Sequence, residues 1–115
     1  MKIGIPTNGR EGLEDSVSEV FGKAKTFTII DVENDRIRKV KVIENPASSY
    51  EYGSGPVVAK TLADLKVHLV ISAELGPGAA GLLEHHGIKR ILVTPKMKVA
   101  DAIKDASTRL KGKHI

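Results

Sequence analysis

The chain has 115 residues, 41% hydrophobic and 28% charged, with 18 basic and 14 acidic side chains and a net charge of +4. That size and balance predict one globular domain, residues 1–115, built on a single core. With two Phe, two Tyr, no Trp and no Cys, the chain has no disulfide, no thiolate for metal or nucleophilic chemistry, and no aromatic platform for single-stranded nucleic acid, so a nucleic-acid partner is disfavoured.

Lys2–Pro6 reads as a first strand with Ile3 and Ile5 on one face, ended by Pro6-Thr7-Asn8-Gly9. Its apolar run is too short for a signal peptide, and no stretch approaches a membrane span. A cytoplasmic location and no membrane partner are therefore expected. Arg10 to Val20 is polar with spaced Leu13 and Val17, which suits an irregular loop with one helical turn near Ser16. Thr26–Asp31 is a second strand, Glu33-Asn34-Asp35 a turn, and Arg36–Ile43 a third strand. In that strand Ile37 is out of phase with Val40 and Val42. A break at Arg38-Lys39 predicts a bulge or twisted edge, and the positive charges there suit an edge strand.

Asn45 to Gly55 is a long loop holding both tyrosines, and long loops in small domains are functional or mobile. Pro56 then opens a helix to Leu65, with Val58, Leu62 and Leu65 on one face. Val67–Ile71 is an apolar fourth strand. Gly76-Pro77-Gly78 reads as a turn, Ala79–His86 as a helix with Ala80, Leu83 and Leu82 inward, and Gly87 as its left-handed cap. Arg90–Val93 completes a βαβ unit with two parallel strands. Val99–Lys111 closes the chain as a helix with an inward stripe of Val99, Ala102, Ile103, Ala106 and Leu110, stopped by Gly112. The first three strands lack intervening helices and pair antiparallel. The result is an α/β chain with a mixed five-stranded sheet covered by helices.

Gly76, Gly78 and Gly81 spell G-x-G-x-x-G after a strand, the outline of a dinucleotide site. Such a site wants an acid about 20 residues further on, but the next strand ends in Thr94-Pro95-Lys96. A tight turn with close helix–sheet packing explains the glycines equally. The first strand holds no carboxylate for a ribonuclease-H-type nuclease, and no Ser/His/Asp arrangement is evident. His85 and His86 are neighbours, about 100° apart on a helix, and suit the helix dipole better than a metal. His68 reads as a packed or edge histidine and His114 as part of the tail. Glu74, just after a strand, is either a base or ligand or a solvated loop residue. Without paired catalytic groups the chain is expected not to be an enzyme.

Several pieces together carry a resemblance: Met1-Lys2-Ile3-Gly4-Ile5-Pro6, Val17-Ser18-Glu19-Val20-Phe21-Gly22-Lys23-Ala24 followed by Phe27, Ile43-Glu44-Asn45-Pro46, Gly53-Ser54-Gly55, Leu75-Gly76-Pro77-Gly78-Ala79 and Gly87-Ile88. In their order and spacing the chain resembles the nitrogenase (dinitrogenase) iron–molybdenum cofactor biosynthesis domain family. The resemblance implies a three-layer ribonuclease-H-like fold with sheet order 3-2-1-4-5 and helices on both faces. It also implies a small non-enzymatic carrier that binds an iron–sulfur or iron–molybdenum type cofactor or precursor, and a protein partner in cofactor assembly. The chain departs from many relatives at Val20, where they carry a histidine before Phe-Gly, and it has no Cys, so metal ligands stay unassigned.

With strands one and four as parallel neighbours, their C-terminal loops form a switch-point crevice. This places the candidate cofactor-binding residues at Asn8, Phe21, Gly22, Lys23, Gly76, Gly78 and Ala79. Free N–H groups of Gly78, Ala79 and Ala80, with Lys23 as counter-charge, would favour an anionic metallocluster or a small anion. Two other readings compete with the carrier: a partner-binding or regulatory module without a small ligand, and a nucleotide- or phosphate-binding protein.

Overall fold

Successive residues of the first strand face different cores. β1 (Lys2–Thr7) sends Ile3 and Ile5 into one buried cluster. On the opposite face Gly4 leaves room for Leu62 and Val67, whose carbons lie 3.3 and 3.5 Å from where a Cβ would stand. The computed structural model describes residues 1–112; Lys113 and the tail histidine His114 lie outside the described residues. The other elements are β2 (Thr26–Glu33), β3 (Arg36–Glu44), α1 (Ser54–Asp64), β4 (Leu69–Ser72), α2 (Pro77–His85), β5 (Lys89–Leu92) and α3 (Val99–Gly112).

The sheet order is β3-β2-β1-β4-β5. β1 pairs antiparallel with β2 and parallel with β4, and β4 pairs parallel with β5. This is the expected mixed five-stranded α/β sheet. One face carries α1 and α2, through Val58, Ala59, Leu62 and Leu83. The other carries α3, through Val99, Ala102 and Ala106, with Leu13 beside them.

The β2–β3 hairpin turns through Asn34 and Asp35, with φ of 53° and 63°, as a turn with two left-handed central residues requires. Beyond it Asp31 pairs with Lys39 and Val32 with Ile37. Arg38 is therefore the extra residue of a bulge, on the edge strand and at the phase break expected there. The cap of α2 also follows the sequence. Gly87 has φ of 73°, and the amides of Gly87 and Ile88 donate to the carbonyls of Glu84 and Leu83, which satisfies the orphan acceptors of the last turn.

Several boundaries differ from expectation. Gly76-Pro77-Gly78 is not wholly a turn: Gly76 is the N-cap and Pro77 the first helical residue. Proline has no N–H to lose there, and its fixed φ is already helical. For the same reason α1 starts at Ser54, two residues before Pro56. Within α2, Ala79 rather than Ala80 joins Leu82 and Leu83 against the core. The single helical turn after β1 is a 3-10 turn at Gly12–Glu14, not at Ser16. The Asp15 carboxylate accepts from the amides of Glu11 and Ser16, and Ser16 and Val17 run extended as bridges to Lys98 and Thr7. Lys98 also meets Glu14 at 3.1 Å. That hydrogen bond and charge hold the ammonium above its usual range. Gly112 is helical and the last described residue, so the stop expected there is not seen. Among the described residues no helix is long and apolar enough to cross a membrane.

Burial ranks the core positions. Leu62 is fully enclosed, whereas Ile103 is only partly covered. Leu62→Ala should therefore cost about 3 kcal/mol, and Ile103→Ala, whose site is open on one side, about 1–2 kcal/mol. Urea melts check the order; equal losses would mean that α3 is as deeply seated as α1.

Candidate functional site

β1 and β4 point the same way, but the chain leaves them toward opposite faces. After β1 it passes to the Gly12–Glu14 turn on the α3 side; after β4 it enters α2 on the other. Divergence at the C-terminal ends of parallel neighbours opens a crevice. The one found here, about 210 Å³ in volume, lies between Val20-Phe21-Gly22, Ser54-Gly55 and the Glu74 to Ala79 loop and helix start.

The Phe21-Gly22 wall is fixed from behind. Phe21 is buried and meets Phe27 edge to face, with ring centroids 5.6 Å apart. The Asn45 amide nitrogen donates to the carbonyls of Gly22 and Ala24 at 2.9 and 2.8 Å, and its oxygen accepts from the Ala47 amide at 2.8 Å. Asn45 is itself buried. Gly22 has no room for a side chain: a Cβ would stand 2.6 Å from Ser54 Oγ. Across the crevice the Ser72 hydroxyl donates to the Glu74 carbonyl at 2.9 Å and shapes the turn after β4.

Two helix starts meet in this space. α1 presents Ser54 and Gly55, and α2 presents Gly76 and Ala79. Neither N-terminus has a side-chain cap. The Ala80 amide, counted as free from the sequence, donates to the Gly76 carbonyl at 3.0 Å. This leaves the first-turn amides of Gly78 and Ala79, with those of Ser54 and Gly55 on α1, outside the intrahelical ladders. Their partial positive charge converges on one spot. Among the described residues the one ionisable side chain lining the crevice is Glu74, an acid.

Of the residues expected at the site, Phe21, Gly22, Gly76 and Ala79 line the crevice together. Gly78 lies in the first turn of α2 beside them. Lys23 is exposed and outside the lining, and Asn8 is drawn away, its amide donating to Ser16 Oγ at 2.8 Å. Sequence reasoning missed Ser54, Gly55 and the Asn45 brace. A signal for the first two was present: Gly53-Ser54-Gly55-Pro56, like Gly76-Pro77-Gly78, sets glycines and a proline at a helix start. The packing account of the glycine series does not hold. Added Cβ atoms at Gly76, Gly78 and Gly81 would meet nothing within 4 Å.

No histidine lines the crevice among the described residues. His68 is exposed just before β4, and its Nδ1 accepts from the Lys2 amide at 3.0 Å. His85 and His86 sit at the far end of α2, their rings 5.4 Å apart edge to face. Among the described residues no group of three or more His, Cys, Asp or Glu side chains is placed to hold a metal ion.

The family model of the dinitrogenase iron–molybdenum cofactor domain matches residues 1–109. An uncharacterized protein of Methanocaldococcus jannaschii, MJ0580, is 31% identical over 88 residues, covering 76% of this chain and 70% of that protein. Among solved structures, a Thermotoga protein provisionally assigned as NifB is 30% identical with a TM-score of 0.76, over 93% of this chain and 87% of that one. The apo form of the orange protein from Desulfovibrio gigas superposes with a TM-score of 0.83 at 24% identity, over 94% and 88% of the two chains; that likeness is one of fold.

Two sets of substitutions test the crevice wall. Asn45→Ala leaves two carbonyls and one amide without partners and should cost about 2–3 kcal/mol. Asn45→Asp keeps the acceptor for Ala47 but turns a carboxylate toward two carbonyls, and should melt lower than the wild type at neutral pH by a similar amount. Gly22→Ala should cost about 1 kcal/mol through its clash with Ser54 Oγ, and Ser54→Ala in the same chain should recover most of that loss. Gly81→Ala, at an open mid-helix position, should instead gain about 0.5–1 kcal/mol. Thermal and denaturant melts read all five variants.

Proposed function

The chain belongs to the dinitrogenase iron–molybdenum cofactor family, and from that membership and the crevice geometry we propose that it is a small non-enzymatic carrier. Its cargo would be an iron–sulfur or iron–molybdenum type cluster, or a precursor, seated at Phe21, Gly22, Gly76, Gly78 and Ala79. The observation that carries the reading is the convergence of two uncapped helix starts on one crevice. Such clusters are anionic, and their sulfur atoms accept hydrogen bonds. Backbone N–H groups from two helices, with the Ser54 hydroxyl, are suited to that outer surface.

The donor set decides the kind of grip. The sequence has no Cys, and no His lines the crevice among the described residues. Val20, 49% exposed at the mouth, is apolar. Among the described residues Glu74 is the one carboxylate in the lining, with the Ser54 hydroxyl the weaker oxygen donor beside it. The residues therefore fit a cargo held through its periphery rather than through iron. A volume of about 210 Å³, below the usual 300–1,000 Å³ of small-molecule sites, seats one face of such a cargo. Shallow, hydrogen-bonded holding suits a carrier that must release. The proposed setting is cytoplasmic, with a protein partner in cofactor assembly.

A second reading, a partner-binding module without a small ligand, is favoured by one observation. Val20, Tyr50 and Tyr52, the last 87% exposed, are large and solvent-facing in the segments leading to the crevice.

Anaerobic incubation with ferrous iron and sulfide, followed by gel filtration and metal analysis, separates the two. The parent protein should retain iron and sulfide together. Val20→His should bind at least about tenfold more tightly, since one coordinate bond is gained. Gly78→Val should lose binding, because a branched side chain covers the helix-start donors. If neither the parent nor Val20→His retains iron, the partner-module reading replaces the carrier.

A further inference from the structure

The two faces of the sheet are unequally covered. Five strands about 4.8 Å apart span about 19 Å, which takes two helices each about 10 Å across. α1 and α2 supply that cover on one face. On the other, among the described residues, α3 stands with only the short Gly12–Glu14 turn beside it. Between α3 and the β2–β3 hairpin lies an open groove of about 1080 Å³. Ile3 and Leu69 floor it, Val32 and Ile37 form one wall, and Ile103 and Leu110 form the other. Ile37 is 41% exposed although it pairs across the hairpin with Val32. The α3 wall runs from Ala100 to Leu110, a length of about 15 Å at 1.5 Å per residue, or three helical turns.

We propose that this groove is the seat of an amphipathic α-helix from another protein, lying along α3 with an acidic residue opposite Lys104. The width and length are those of the helix that the layer lacks, and an apolar face in a groove is a common mode of recognition. The charges select the partner. Glu33 and Arg36 are register partners of opposite sign across the hairpin and cancel in net charge, although no ion pair joins them among the described residues. Asp35 already has an interaction of its own. Lys104, exposed on the α3 wall, has no ion-pair partner among the described residues. A second copy of this chain is the poorer occupant. Among the described residues the exposed large apolar side chains lie in strands, loops and the N-terminus, and the apolar side chains that α3 turns to the groove, Ile103 and Leu110, are already partly buried against the chain's own core.

The test uses the full chain and a fluorescein-labelled synthetic helix of about 14 residues with Leu at i, i+3 and i+7 spacing and Glu on one flank. Controls are the same peptide with Lys for Glu, and a scrambled one. By fluorescence anisotropy the Glu peptide should bind at least about tenfold more tightly than the Lys peptide, and the scrambled peptide should not bind. Ile37→Asp should abolish binding and Lys104→Glu should reverse the preference. Both side chains are exposed, and circular dichroism checks the fold. If Ile37→Asp does not fold, the reversal by Lys104→Glu carries the test alone. Equal binding of all three peptides, or of none, overturns the proposal. So does saturable binding of palmitate with no peptide bound, which makes the groove a small-ligand site. So does a dimer that Ile37→Asp dissociates, which makes it a self-interface.

Discussion

One buried carboxamide holds the crevice together. Asn45 joins three backbone groups from two segments through its two amide hydrogens and its oxygen. Its position just after β3 lets the sheet edge dictate where the Phe21 to Ala24 turn stands. That turn seats Phe21 on Phe27, and its Gly22 lies against Ser54 so closely that no side chain fits between them. The start of α1 is thereby placed opposite the start of α2. A buried polar group is costly unless satisfied, so a side chain that fills its bonding capacity with main-chain partners specifies one arrangement and penalises others. The geometry of the crevice descends from this peg and from the parallel pairing of β1 with β4.

The pairing fixes polarity as well as place. β3, antiparallel to β2, runs in the same direction as β1 and β4, so α1 after β3 and α2 after β4 both start at one end of the sheet. Helix starts carry unpaired N–H groups, so the end of the sheet where connections diverge also gathers partial positive charge. Open glycines at Gly76 and Gly78 leave the α2 donors uncovered, with neither packing nor a left-handed backbone to require them. Glu74 opposes that field from the rim. An anion entering the crevice meets attraction from the backbone and repulsion from one carboxylate, a balance that favours moderate affinity over permanent retention.

Much of this was legible in the residues, and the exceptions have physical causes. Alternation and apolar runs located all five strands, because burial on a pleated surface imposes a period of two. Even the bulge at Arg38 showed as a break in that period. Gly87 marked a cap because only a left-handed residue could end α2 that way. The start of α2 lies earlier than Gly76-Pro77-Gly78 suggests, and that of α1 two residues before Pro56, because a first turn lacks the hydrogen bonds that Gly and Pro disrupt inside a helix. Asn45 was hidden for a different reason. Its partners are 21 and 23 residues away, and no periodicity or local spacing encodes a contact of that range. Lys23 and Asn8 sat at plausible chain positions, but the side chain of one points to solvent and that of the other is bound to Ser16.

The crevice and the groove lie on opposite sides of the sheet, and that separation has a consequence for a carrier. Phe21 and the α1 and α2 starts belong to one core cluster, while Ile3, Leu69 and α3 belong to the other. β1 and β4 contribute to both, Ile3 and Leu69 facing the groove and Gly4 and Val70 facing the crevice side. A helix docked along α3 would thus leave the crevice mouth uncovered, and a cluster seated in the crevice would leave the groove open. Under the proposed carrier role that independence would let a partner approach while the cargo is still bound. Tight alternation along two shared strands also means that neither face can shift without moving the other's side chains, as close-packed interiors transmit small displacements. The two surfaces are separate in space but rest on the same two strands.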